Sequence, residues 1–331
     1  MGDKSFDTAI SRLEPGLHTL LSQVPDSIKA LASEVRLRTG RPLSISSDGA
    51  PVLVMPGGRI AYRHTAGCHI VTPGELFESF RALCDYSVHA HQSEINSGFI
   101  ALPGGHRAGI SGRAVGDGNN ITNIREVGSI NIRIARAVAG CGQTVAEAFA
   151  ASADSFILAG PPGSGKTTLL REVIRLLSGG DIGLYHNISV VDERHEIGGA
   201  LDGIPQFDLG CCADLLSGYP KAAGVIAALR SLSPQVIAFD EVGDTGECEA
   251  VAEGLNSGVR FLITMHIGTR EEIFRRPVSR ALLDTGAFGQ VFLLSGGKRP
   301  GEIKEVIRPY DDFHKNRGTH TDLLQLRAGG H

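Results

Sequence analysis

Residues 160–167 read Gly160-Pro161-Pro162-Gly163-Ser164-Gly165-Lys166-Thr167, an unbroken instance of G-x-x-x-x-G-K-[ST]. The apolar run Ser155-Phe156-Ile157-Leu158-Ala159 leads into it, and a helix-like stretch from Thr168 to Leu177 follows. A strand, a glycine loop and a helix in that order form the setting in which this pattern cradles phosphate rather than merely turning the chain. The glycines let successive backbone N–H groups converge on phosphate oxygens, and the helix N-terminus adds partial positive charge. Lys166 is placed to reach the β- and γ-phosphates, and the Thr167 hydroxyl to take Mg²⁺, with Thr168 beside it in the first helical turn. The expected ligands are therefore ATP and Mg²⁺.

Composition narrows the class. At 331 residues the chain has room for about two domains. Its 42% hydrophobic and 21% charged content is that of an ordinary globular protein. A formal net charge of -4 gives no global basic field toward nucleic acid or anionic lipid. No apolar run approaches the ~20 residues of a membrane span. The first residues, Met1-Gly2-Asp3-Lys4-Ser5-Phe6-Asp7, lack the basic-then-apolar layout of a signal peptide. Six cysteines at 68, 84, 141, 211, 212 and 248 form no C-x-x-C pair, which argues against a zinc or redox motif. The expected location is a reducing cytoplasm.

Two organisations succeed one another along the chain. In residues 1–140, a helical stretch from Leu17 to Leu31, interrupted at Pro25, precedes short extended pieces at Glu34–Arg38, Leu43–Ile45 and Pro51–Val54. Thr72-Pro73-Gly74-Glu75 is a capping box opening a helix to about Tyr86. Gly98–Leu102 and Arg107–Val115 form a hairpin around Pro103-Gly104-Gly105. Asn131–Arg136 alternates apolar and polar residues, which buries one face and turns an arginine row outward.

After Gly140 apolar strands alternate with helices. The strands are expected at Phe156–Ala159, Ile188–Val191, Gln235–Phe239 and Phe261–Thr264, with helices at Lys166–Leu177, Lys221–Leu232 and Gly246–Asn256. Such near-continuous apolar strands indicate a parallel sheet covered on both faces. Gln290–Leu294 and Lys304–Ile307 are expected to add edge strands, and residues 311–331 to form a flexible tail. The fold class expected is α/β: a P-loop core over 141–310 with a smaller N-terminal α+β domain over 1–140.

The strand Gln235–Phe239 ends in Asp240-Glu241. Asp240 is suited to helping Thr167 hold Mg²⁺, and Glu241 to positioning the attacking water and taking its proton. Two more strands end in polar groups at the same edge, where open α/β sheets collect ligands: Asp192-Glu193-Arg194 after one, Thr264-Met265-His266 on the other. Leu177-Ser178-Gly179-Gly180 and Leu294-Ser295-Gly296-Gly297 look like a transporter-ATPase signature, but both stand in the wrong place relative to Asp240-Glu241 and read as caps or turns.

With these elements together, the chain resembles the stage III sporulation protein AA family, a branch of the secretion-type AAA ATPases related to type II and type IV secretion and pilus motors. The resemblance is carried by His106-Arg107-Ala108-Gly109, Ser129–Arg136, the P-loop, Val190–Arg194, Tyr219-Pro220-Lys221-Ala222 and Leu229–Pro234 with its Asp240-Glu241. It implies a RecA/AAA-like core, Asp192, Glu193 and His266 in the catalytic set with Lys166 and Glu241, and arginine fingers from among Arg107, Arg113, Arg133 and Arg136. It also implies a self-assembled ring, a hexamer, working on the mother-cell side of a sporulation channel through inner-membrane components. The chain departs from the family at Cys212, where arginine is usual, and at Val242-Gly243-Asp244, where secretion motors carry an arginine before the aspartate. The alternatives are a nucleic-acid-linked RecA-like ATPase, a nucleotide-binding regulator with little hydrolysis, and a small-molecule kinase. Nucleic acid is not an expected partner, because aromatic content is 5% and tryptophan is absent; the kinase reading lacks an arginine-rich lid.

Overall fold

A computed structural model of the chain describes residues 4–96, 98–117, 120–296 and 301–310, so the tail expected over 311–331 lies outside the described residues. The chain groups into two compact units, one reaching to Arg136 and taking in Gly199–Phe207, the other starting at Ala137 without that segment.

The first unit opens with α1 (Ser5–Ile10), α2 (Pro15–Ser22) and α3 (Asp26–Leu31), then β1 (Ala32–Arg38), β2 (Ser44–Ser47), β3 (Ala50–Val54) and β4 (Ile60–Ala61). It continues through α4 (Pro73–Leu83), α5 (Gln92–Asn96), β5 (Phe99–Leu102), β6 (His106–Asp117) and β7 (Asn120–Arg133). All seven strands form one antiparallel sheet, β4-β3-β2-β1-β7-β6-β5. Alternate residues Val35, Leu37, Ile45, Ile130, Ile132, Ala108 and Ile110 pack with Phe6, Leu17, Leu21, Leu76 and Phe80 from the helices. α4 starts with the expected box: the Glu75 N–H donates to Thr72 Oγ1 (3.2 Å) and the Thr72 N–H to Glu75 Oε2 (2.8 Å). Within this unit Gly199–Phe207 lies against the β5–β6 turn, where the Gly104 N–H meets Gln206 Oε1 at 3.1 Å. A Cβ on Gly105 would come within 2.2 Å of the Phe207 ring, and its φ of +74° independently demands glycine.

The arginine row needs a correction. β7 stops at Arg133: the Ile134 N–H still bonds Ser33 O of β1, but the next N–H, that of Ala135, turns to His106 Nδ1 instead of extending the ladder. Arg136 therefore does not continue an outward face. Its guanidinium donates to the carbonyls of Lys29 (2.7 Å) and Ala32 at the C-terminal end of α3.

The second unit comprises α6 (Gln143–Ala150), β8 (Ser155–Gly160), α7 (Lys166–Ser178), β9 (Ile188–Asp192), β10 (Ala213–Ser217), α8 (Lys221–Ser231) and β11 (Val236–Phe239). It ends with α9 (Thr245–Asn256), β12 (Arg260–His266), α10 (Arg270–Arg275), α11 (Pro277–Asp284), β13 (Phe288–Leu294) and β14 (Ile303–Ile307). The sheet order is β10-β9-β11-β12-β8-β13-β14, with six parallel strands and an antiparallel β14 at one edge. β13 is thus interior rather than the edge strand expected at Gln290–Leu294. Both β8 faces are buried, so its residues divide between two cores. Phe156 and Leu158 join α6 and α7 residues such as Phe149, Leu170 and Ile174, whereas Ile157 and Ala159 join Val225, Val251 and Leu282 of α8, α9 and α11. Gly224 lets α8 approach the sheet, since a Cβ there would lie 2.4 Å from Val191 Cγ1. Among the described residues no helix is long and apolar enough to cross a membrane.

Candidate nucleotide site

Parallel pairing puts the C-terminal ends of β9, β11, β12 and β8 side by side at one sheet edge. The register fixes what meets there: Phe239 is level with Val191 and Ile263, so Asp240 emerges beside Thr264, and His266 is level with Gly160. The loop from Gly160 to Thr167 leaves β8 at that edge and runs into α7. Gly163 (φ +75°) and Gly165 (φ +87°) adopt the left-handed backbone that the turn requires, and a Cβ on Gly160 would lie 2.4 Å from Ser164 Oγ. Ser164 is buried, Pro161 half-buried and Pro162 exposed.

Lys166 begins α7 and is buried, with its ammonium donating to the carbonyls of Gly160 and Pro161 at 2.9 Å each. Burial pushes its pKa below that of an ordinary lysine, while the nearby Asp240 and Glu241 carboxylates pull the other way. The Thr167 hydroxyl donates to Asp240 Oδ2 at 2.5 Å, and Thr264 donates to the other oxygen of Asp240. A hydroxyl and a carboxylate are thereby joined at one point, the oxygen donor set that suits Mg²⁺. Thr168 follows, half-buried.

Glu241 lies at φ +58° with its N–H donating to Thr264 Oγ1 at 2.8 Å. Its carboxylate is bracketed by Arg194 Nη1 at 3.0 Å and His266 Nε2 at 3.5 Å. The structure therefore brings Lys166, Thr167, Asp240, Glu241 and His266 together. The buried His266 Nδ1 has no hydrogen-bond partner among the described residues.

The second acidic pair divides its work. Asp192 is buried, and its carboxylate accepts the N–H groups of Glu196 (2.7 Å), Ile197 (3.1 Å) and Gly198 (2.8 Å). From the opposite side Arg171 of α7 donates to the carbonyls of Ile197 (2.8 Å) and Glu196 (2.7 Å). Burial pushes Arg171 down to about 10 against the attraction of Asp192 and Asp240. Together these two side chains shape the loop that carries Glu193 and Arg194. Asp192→Asn replaces one acceptor oxygen by a donor facing backbone N–H groups, so it should destabilise the fold by ~1–3 kcal/mol in urea unfolding. Unchanged stability would show that the carboxylate does not anchor the loop.

Glu193 is half-buried and lines the same cleft as Asp240, Glu241 and Lys221. Lys221, quoted above within the Tyr219–Ala222 match but not among the expected site residues, is a lysine in the first turn of α8, where the helix end is already positive. That mismatch was its readable signal; Arg171 left none.

The N-terminal arginines separate. Arg107 and Arg133 occupy adjacent strands in register, with Glu34 on the far side of Arg133. Arg107 stacks over Phe99, 4.8 Å from the ring centroid. Arg113 forms an exposed pair with Glu126 at 3.2 Å, and Arg136 is held as described. Cys212 immediately precedes β10, at the sheet edge opposite the candidate site.

Comparison with known proteins identifies the family and the fold. The family described as sporulation stage III, protein AA matches residues 9–313. Stage III sporulation protein AA of Bacillus subtilis (strain 168) is 32% identical over 297 residues, 89% of this chain and 92% of that protein. The pilus retraction motor PilT, solved with bound ADP, superposes with a TM-score of 0.56 at 17% identity, covering 91% of this chain and 88% of that one. The ATPase DotB of Legionella pneumophila gives 0.50 at 17% identity, over 79% and 72%. At that identity the two structures establish a shared fold.

Proposed function

Because the chain belongs to the sporulation stage III protein AA family, we propose that it is an ATP-hydrolysing motor of the secretion type, acting in sporulation. The observation that carries the chemistry is the joining of Thr167, Asp240 and Thr264 beside a buried Lys166 and a clamped Glu241. Lys166 would exchange its two carbonyls for β- and γ-phosphate oxygens, a charge-assisted contact stronger than a neutral one. Thr167 and Asp240 would hold Mg²⁺, which offsets phosphate charge when bound. Glu241 would position water in line with the γ-phosphate and take its proton, with ADP leaving, and His266 beside the Glu241 carboxylate would contact the γ-phosphate. Asp192 would act through the loop it builds, presenting Glu193.

The family assignment supports a ring of identical subunits, a hexamer, docked on inner-membrane components of a mother cell–forespore channel from the cytoplasmic side. Arg107, Arg113 or Arg133 would then serve as fingers completing a neighbour's site. ATP turnover against protein concentration, with light scattering on the same samples, tests this. Specific activity should rise as the particle grows; a monomer with concentration-independent activity would refute the shared-site ring. The Arg194–Glu241 ion pair favours a second reading, a nucleotide-binding regulator that hydrolyses little, because it occupies the base. That reading predicts ATP binding with turnover no faster than in Glu241→Gln at any concentration.

A further inference from the structure

Lys221 is only 9% exposed, yet it lines the cleft together with five acidic residues, Asp192, Glu193, Glu196, Asp240 and Glu241. Its ammonium donates at 2.7 Å to the backbone carbonyl of Glu241 and at 2.7 Å to Glu247 Oε1 of α9, and Glu193 Oε2 lies 3.7 Å away. An ammonium offers three protons. Two are bound within the protein, and the third has Glu193 nearby. Lys221 is therefore equipped to hold protein groups in place, in contrast to Lys166, whose partners are two loop carbonyls that a phosphate can replace.

What it holds is an uncommon conformation. A left-handed backbone costs a non-glycine residue on the order of 1 kcal/mol or more and persists where its surroundings fix it. Around Glu241 they do so at four backbone groups of the turn. The Glu241 N–H is taken by Thr264 Oγ1 (2.8 Å), its carbonyl by Lys221, the Val242 N–H by Thr264 O (3.0 Å) and the Gly243 N–H by Glu247 Oε2 (2.7 Å). Glu247 thus binds both the lysine and the end of the turn, closing a loop of contacts from α8 through the turn to α9. A lysine in the first turn of a helix, with no side-chain cap from Pro220, works against the helix dipole. A buried ion pair is also a weak source of net stability. Stability is thus a poor explanation for this lysine, whereas geometry at Glu241 is a direct one.

We propose that Lys221 is a positioning residue for Glu241: by gripping the Glu241 carbonyl it fixes the left-handed turn and with it the place of the carboxylate. The catalytic part of the proposal rests on the hydrolytic reading given above; the structural part does not. The test uses the full chain and the paired substitution Lys221→Met with Glu247→Gln, which neutralises both partners so that no buried charge is left alone. Four quantities are read: thermal midpoint, KM for ATP, kcat, and hydrogen–deuterium exchange of the amides from Glu241 to Gly243.

The expected result is a near-native midpoint, KM changed by no more than about threefold, and kcat reduced about tenfold or more, since small displacements of a catalytic group carry costs of that size. Exchange at the turn should accelerate by about tenfold or more as local opening becomes easier. If neutralising the pair prevents folding, Lys221→Arg keeps the charge and is read in the same assays. Its wider planar head group does not reproduce the two contacts of one nitrogen, so kcat should fall while the midpoint does not. A folded variant with native kcat and native protection overturns the proposal. Should the native chain itself not hydrolyse ATP, the hydrolytic reading falls on its own, and exchange decides the clamp: unchanged protection at Glu241–Gly243 overturns it.

Discussion

Replacing Glu241 by glutamine should lower ATP turnover by on the order of 10²–10⁴-fold, the range a lost general base commands, while leaving nucleotide affinity within a few-fold. The substitution is nearly isosteric. The backbone contacts that hold residue 241, from Thr264 and Lys221, do not involve its side chain and would survive. What is removed is the ability to accept a proton. The ion pair with Arg194 is also lost, but that arginine is 64% exposed, so the pair adds about 1 kcal/mol at most to stability. A large kinetic effect with a small stability effect is therefore the signature. Initial rates beside equilibrium binding of ATP and thermal melts separate the two. A kcat within a few-fold of native would remove Glu241 from the chemistry and leave the water to be oriented by another group.

The strands that build this site were legible because each is buried on both faces. Phe156–Ala159, Ile188–Val191 and Phe261–Thr264 read as apolar runs, and β8, β9 and β12 occupy those places with small extensions. The P-loop was legible for a different reason: its glycines answer a local backbone demand at Gly163 and Gly165 that no distant contact alters. β10 is not legible in the sequence because it is an edge strand, half-exposed, with Asp214 and Ser217 breaking its apolar character. The run Gln290–Leu294 reads as a strand, but its interior place between β8 and β14 comes from long-range pairing that the run itself does not encode. The alternation through Asn131–Arg136 suggested one continuous strand, but carbonyls at the end of α3 captured Arg136. Asp192 was anticipated by type and position. Its use as the acceptor for three loop N–H groups follows from the turn after β9, which only the folded backbone reveals.

Lys166→Ala should cost more than any other single change at the site, abolishing measurable turnover and weakening ATP binding by about two orders of magnitude or more. The ammonium is buried at the mouth of the loop, where a charge-assisted hydrogen bond to phosphate is about twice as strong as a neutral one. The fold should tolerate the loss. In the ligand-free chain Lys166 only bridges the Gly160 and Pro161 carbonyls, and burial makes its charged form less favourable than in the unfolded chain. The pH dependence follows with a definite sign. A lysine whose folded pKa is lowered binds its proton less tightly than the unfolded chain does, so stability rises as pH climbs from that lowered value to the ordinary 10.5. Affinity for ATP runs the opposite way, because phosphate needs the ammonium and raises its pKa on binding. Native ATP affinity should therefore fall at alkaline pH below the ordinary lysine range, and binding there should take up protons from buffer. Calorimetric titrations of native chain and Lys166→Ala in two buffers of different ionisation enthalpy measure that uptake directly. An alkaline limb that persists in the alanine variant would assign the titration to another group and detach Lys166 from the phosphate.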